Sequence, residues 1–151
     1  MQQLEALTRP ELILPQLAAA DAHGVLCEFA DQIAAAGLVP DADELYQKLV
    51  ERERLGSTAV GGGVAIPHCK LRGLAQAVVA IGRVERGIDF GAADGQPVRA
   101  FFVVVSPSEA PAEHLRVLST VSRWIKGRQN VEQLLALADR DRIWELLGGG
   151  R

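Results

Sequence analysis

Gly56-Ser57-Thr58-Ala59-Val60-Gly61-Gly62-Gly63-Val64-Ala65-Ile66-Pro67-His68 ends a glycine-rich, apolar stretch on a histidine held behind a proline. Three consecutive glycines allow backbone conformations and close approaches that a side chain would forbid. Val64 to Ile66 read as a short buried strand. Pro67 fixes its own φ and biases Ile66 toward extended geometry, so His68 leaves the strand in a defined direction. Imidazole alone has an unperturbed pKa near neutrality, and its neutral form is a competent nucleophile or base at cellular pH.

On the N-terminal side, Val25, Leu26, Phe29 and Ile33 recur at helical spacing between Asp21 and Ala36, and Gly37 is placed to end that helix. Cys27 falls on its apolar side in this reading. Asp41-Ala42-Asp43-Glu44 resembles a capping box that starts a second helix with Leu45, Leu49 and Val50 on one side. Arg52 and Arg54 close that helix and put cations beside the loop leading to His68. On the C-terminal side, Ala77 to Val84 and Val98 to Ser106 are apolar, β-branched runs that suit strands covered on both faces. Gly87 to Gly91 and Asp94-Gly95 mark a turn region with room for a short strand pair. Pro107 and Pro111 open a helix with Leu115, Leu118, Ser122 and Ile125 in a stripe, Asn130 caps another, and Asp139 to Leu147 forms the last. Strands with helices on both sides in sequence predict an α/β fold: a mixed central β-sheet flanked by helices on both faces, an α/β sandwich.

The 151 residues, nearly half of them apolar and few aromatic, predict one domain over residues 1–151 with an aliphatic core. A net charge of -3 with interspersed signs argues against nucleic acid as a partner. Arg52, Arg54, Lys70, Arg72, Arg83 and Arg86 form a locally basic middle section, read as solvated surface or as a meeting place for a small anion. Cys27 and Cys69 are too few for a disulfide framework, so a reduced, cytoplasmic setting is expected. No apolar run is long enough to cross a bilayer, and no direct membrane insertion is expected.

His114 is the second candidate for chemistry. It lies in the first turn of the helix after the Val98 to Ser106 strand, where unpaired N–H groups favour an anion and disfavour imidazolium. Glu113 is placed to orient it or to serve as a dipole partner. His23 has no such setting and reads as a surface or packing residue. His68, Cys69 and His114 lack the spaced pairs of structural zinc, so no metal is expected. Ser57 and Thr58 stand outside any Gly-x-Ser-x-Gly elbow and read as hydrogen-bonding the loop or a bound anion.

Arg52-Glu53-Arg54-Leu55-Gly56-Ser57-Thr58, Gly61 to His68, Gly87-Ile88-Asp89-Phe90 with Asp94-Gly95-Gln96-Pro97-Val98, and Ser106-Pro107 with Glu113-His114-Leu115 resemble the fructose/mannitol-type enzyme IIA of the bacterial phosphotransferase system. The resemblance covers most of the chain and is strongest to the nitrogen-regulatory branch. It implies that His68 is the phosphorylated residue of a transferase-like carrier, with a histidine-containing phosphocarrier protein as donor. Arg52 and His114 match the residues that surround the phosphate, and Ser57, Thr58 and Gly63 join them as further phosphate-surrounding candidates. No metal or organic cofactor is implied. Cys69 stands where the family commonly has glycine, and Gly62 where larger polar residues are common. Three readings stay open: a carrier whose phosphorylation state regulates a transporter, kinase or metabolic enzyme; a sugar-transport enzyme IIA that passes the group to a separate enzyme IIB; and a binding module that is never phosphorylated.

Overall fold

The computed structural model describes residues 3–149. Its centre is β6 (Val98–Pro107), the apolar run whose alternate residues serve two cores. Phe101, Val103 and Val105 pack on one side with Leu26, Phe29, Ile33, Leu45 and Leu49. Ala100, Phe102 and Val104 pack on the other with Val117, Val121, Leu134 and Ile143. A strand buried on both faces has no polar alternation to show, which is why the run reads as continuously apolar.

The mixed sheet has six strands in the order β1-β5-β6-β3-β2, with β4 also on β6. Here β1 is Ile13–Leu14, β2 Ala59–Gly61, β3 Val64–Ala65, β4 His68–Leu71 and β5 Val78–Ile88. β5 runs antiparallel to β6, while β3 and β4 run parallel to it along its other edge. Val64 faces Ala100 and His68 faces Val104, so the offset is constant (100 − 64 = 104 − 68 = 36). β3 and β4 are therefore one line of strand interrupted at Ile66-Pro67. Pro67 has no N–H for the ladder, yet its carbonyl accepts from Val104 N at 2.9 Å and keeps the register across the break.

Helices α1 (Ala22–Ala35) and α2 (Ala42–Arg54) cover one face; α3 (Pro111–Lys126), α4 (Asn130–Ala136) and α5 (Arg140–Leu146) cover the other. The expected α/β sandwich is what forms. Asp21 caps α1 by accepting from Gly24 N at 2.7 Å, and Asp41 caps α2 by accepting from Asp43 N at 3.0 Å. Gly37, at φ +79°, ends α1 with its N–H on Ala34 O and the Leu38 N–H on Ile33 O.

Several local expectations are corrected. Cys27 is exposed, because α1 buries the adjacent line of Val25, Leu26, Phe29, Ala30 and Ile33. On α3 the buried line is His114, Val117, Thr120 and Val121, which leaves Leu115 68% exposed although it opened the expected apolar stripe. Asn130 is inside α4 rather than its cap, and its amide donates to Trp124 O at the end of α3. β5 continues through Gly87 to Ile88, where a turn region was expected, with a register shift after Arg83. Arg83 itself is buried. Its guanidinium donates to Pro15 O at 3.3 Å and Leu135 O at 3.1 Å, tying the N-terminal segment to the end of α4. The two-residue β1 and the strand character of Ala59–Gly61 carry too little pattern to be read from sequence.

Gly82 marks a close approach of α1 to the sheet: a Cβ there would lie 2.7 Å from Phe29 Cζ and 3.1 Å from Leu17 Cδ1. Both neighbours belong to the packed core and have little room to retreat. Gly82→Val should cost roughly 1–3 kcal/mol of stability by overpacking. A urea midpoint equal to that of the wild type would show that α1 does not press on β5 at this position.

Candidate functional site

His68 and His114 meet on the α3 side of the sheet, with ring centroids 5.5 Å apart and planes tilted by 50°. The strand alternation explains half of this. Cys69 and Leu71 join the core under α1 and α2, so His68 and Lys70 must face the other way. The helix rotation that exposes Leu115 supplies the other half, because it turns His114 inward at the start of α3.

His68 is half-buried, and its Nδ1 lies 2.7 Å from the Ile66 carbonyl oxygen. A carbonyl only accepts, so Nδ1 carries the proton and Nε2 carries the lone pair. Burial pulls the His68 pKa below its ordinary value. The Arg52 and Lys70 charges act in the same direction, against the Ile66 hydrogen bond and Glu53. His68 is accordingly a neutral imidazole at neutral pH with its nucleophilic nitrogen free. His114 is buried, and its pKa is lowered by that burial and then by the charges of His68 and Lys70. Its Nδ1 lies 2.7 Å from Ser106 Oγ.

Arg52 is half-buried at the last turn of α2, with Nη1 donating to Gly56 O at 2.9 Å. This bond fixes the guanidinium over the loop, close enough for its charge to act on His68. Ser57 and Thr58 belong to the same loop, and their hydroxyls tie it to neighbouring segments. Ser57 Oγ donates to Phe90 O and accepts from Ala59 N; Thr58 Oγ1 donates to Glu53, whose other carboxylate oxygen accepts from Thr58 N at 3.0 Å. The Thr58 carbonyl then accepts from Ile66 N at 3.0 Å. Glu53, Thr58, Ile66 and His68 thus form one chain of hydrogen bonds from α2 to the imidazole.

Gly63 stands apart. Its carbonyl accepts from Arg99 N at 2.8 Å and Ala100 N at 3.1 Å, four register positions before Val104, the partner of His68. Along the strand that is about 13 Å from the site. Gly61, Gly62 and Gly63 all have positive φ and form the turn between β2 and β3, pinned by Asp94, which accepts from Gly62 N at 3.0 Å. The glycines are there for turn geometry, away from His68.

Glu113 does not orient His114: its carboxylate accepts from Ala77 N at 3.2 Å and holds the loop before β5. Cys69 packs in the opposite core, and burial pushes its thiol up to about 12, an unreactive thiol. Among the described residues no cluster of His, Cys, Asp and Glu could hold a metal, and no helix is long and apolar enough to cross a membrane. Two residues of the site had no role assigned from sequence: Glu53, which braces the loop, and Ser106, which reaches His114. Both sit inside recognised motifs, but only the fold shows whom they face.

A neutral histidine with one nitrogen held and the other free, beside a second histidine and an arginine, is suited to accepting a phosphoryl group. Known proteins agree. Residues 6–149 match the family model "Phosphoenolpyruvate-dependent sugar phosphotransferase system, EIIA 2". The chain is 38% identical over 142 residues to a nitrogen regulatory protein of Bradyrhizobium diazoefficiens, covering 93% of this chain and 92% of that one. It is 32% identical over 144 residues to a fructose-specific EIIA component of Haloferax volcanii, covering 95% and 94%. The crystal structure of the nitrogen regulatory protein IIA-Ntr from Neisseria meningitidis superposes with a TM-score of 0.86 at 27% identity, covering 95% of this chain and 97% of that one. The chain belongs to the EIIA 2 family of the phosphoenolpyruvate-dependent sugar phosphotransferase system, a family of phosphoryl carriers.

Proposed function

We propose that residues 1–151 form one cytoplasmic domain that accepts a phosphoryl group on Nε2 of His68 from a histidine-containing phosphocarrier protein and regulates partner proteins by its phosphorylation state. The observation that carries this reading is the hydrogen bond from His68 Nδ1–H to Ile66 O. In the transfer, the Nε2 lone pair forms the new P–N bond. The donor's P–N bond breaks, and its electron pair returns to the donor imidazole. His68 becomes a phosphoimidazolium whose Nδ1–H stays on the Ile66 carbonyl, so no proton has to move. Arg52 and the His114 ring supply the positive charge and hydrogen bonding that the three phosphoryl oxygens need.

The regulatory destination rests on the likeness to nitrogen regulatory proteins. Phosphorylation places a phosphoryl group with about two negative charges on the His68 ring, a change in local charge large enough to alter which partner surface docks there. The fructose-specific relative supports a second reading, transfer onward to an enzyme IIB. Fast loss of the group to a IIB domain would favour it.

The deciding experiment is intact-protein mass spectrometry after incubation with phosphoenolpyruvate, enzyme I and a histidine phosphocarrier. One acid-labile phosphoryl adduct is expected, absent from His68→Ala. A folded wild-type sample that takes no adduct from an active donor would leave only a binding role. Arg52→Ala should slow acceptance by roughly a hundredfold. Arg52→Lys should recover part of that, since it keeps the charge and loses the fork; equal rates for all three would remove Arg52 from the site. Because the His68 pKa is lowered, chiefly by burial, the acceptor remains neutral as pH falls to the ordinary imidazole value of about 6.5. The rate of acceptance should therefore decline only below that pH. A decline already under way at neutral pH would contradict the buried, neutral ring.

A further inference from the structure

Ser106 is fully buried on β6, two residues beyond Val104, the register partner of His68, and on the same face of the sheet. Its hydroxyl hydrogen needs an acceptor, and no water reaches it. Among the described residues the one hydrogen-bond partner of Ser106 Oγ is Nδ1 of His114, at 2.7 Å. If Nδ1 carried the proton, it would donate to Oγ and leave the hydroxyl hydrogen enclosed without a partner. If Nδ1 carries the lone pair, the hydroxyl donates to it and both groups are satisfied. The single proton of the neutral ring then stands on Nε2.

We infer that Ser106 is a positioning residue that fixes the His114 tautomer, so that His114 offers a phosphoryl group on His68 a neutral N–H donor through Nε2. The inference rests on the carrier reading above and adds the residue that prepares its second histidine. His68 and His114 are held in opposite senses by their Nδ1 contacts. The Ile66 carbonyl accepts from one and leaves Nε2 a lone pair; the Ser106 hydroxyl donates to the other and leaves Nε2 a proton. Attack and stabilisation are thereby assigned to different rings before any phosphate arrives. The tautomer of His114 would otherwise be free, and a fraction of the rings would turn a lone pair toward the phosphoryl oxygens.

The test has a spectroscopic and a kinetic arm. Ring nitrogen-15 shifts of His114 in the unphosphorylated protein should report an unprotonated Nδ1 that accepts a hydrogen bond and a protonated Nε2. In Ser106→Ala the two nitrogens should move toward averaged values, and Ser106→Thr should restore the wild-type pattern. Acceptance from the phosphocarrier should fall roughly tenfold in Ser106→Ala and recover in Ser106→Thr. A protonated Nδ1 in the wild type, or wild-type shifts and rates in a folded Ser106→Ala, overturns the inference. A wild type that never accepts a phosphoryl group would instead sink the carrier reading, and the nitrogen shifts would still decide the tautomer.

Discussion

The bond from His68 Nδ1–H to the Ile66 carbonyl is the constraint on which the site depends, and it exists because Pro67 interrupts a strand without shifting its register. A continuous strand would direct the Ile66 carbonyl into the ladder. A full turn would carry His68 away from the sheet. Proline does neither: it removes one N–H, and its own carbonyl holds Val104 N at 2.9 Å. Among the described residues no backbone N–H takes the Ile66 carbonyl at this break, and it meets the imidazole two residues on. Fixing one ring nitrogen is what gives the other a defined chemistry.

The support of that bond runs deeper than the loop itself. Glu53 holds Thr58 by both backbone and side chain, and Thr58 holds Ile66, so the last turn of α2 determines where the imidazole sits. Arg52, one residue before Glu53, is fixed by Gly56 O in the same turn. The Arg52 charge and the brace of the loop before His68 thus come from one turn of α2, while His114 comes from α3. Positions held by rigid elements need little rearrangement when phosphate arrives, and that is where a transfer without strong acid–base catalysis gains its rate.

The layers were legible in the sequence because two apolar runs, capped helices and helix-ending glycines carry strong local signals. His68 was legible for the same reason, since proline and strand end converge on it. Where reading failed, the tertiary context decided. The α3 stripe was misplaced because Leu115 is the more apolar neighbour, yet the helix turns His114 inward and leaves leucine on the surface. Arg83 looked like surface charge, but two carbonyls brought from distant segments receive its guanidinium. Gly63 looked like a phosphate-surrounding candidate; the positive φ values of the glycine triplet serve a strand turn about 13 Å along the sheet. Glu53 and Ser106 act only through partners that the fold brings to them, which no local pattern encodes.

A carbonyl behind His68, rather than a carboxylate, suits a group that must be received and released. A carboxylate on Nδ1 orients the ring equally well, but it stabilises imidazolium and raises basicity, as in hydrolytic triads where the ring takes up a proton. Burial and the nearby cations work against that here and lower the pKa, leaving only the weaker opposition of the Ile66 carbonyl and Glu53. A less basic ring is a somewhat weaker nucleophile and a better leaving group. For an enzyme that hydrolyses its intermediate this would be a poor compromise. For a carrier the forward and reverse transfers pass through the same arrangement, so a ring whose nitrogen is free, neutral and only moderately basic keeps the phosphoryl group in passage rather than trapping it.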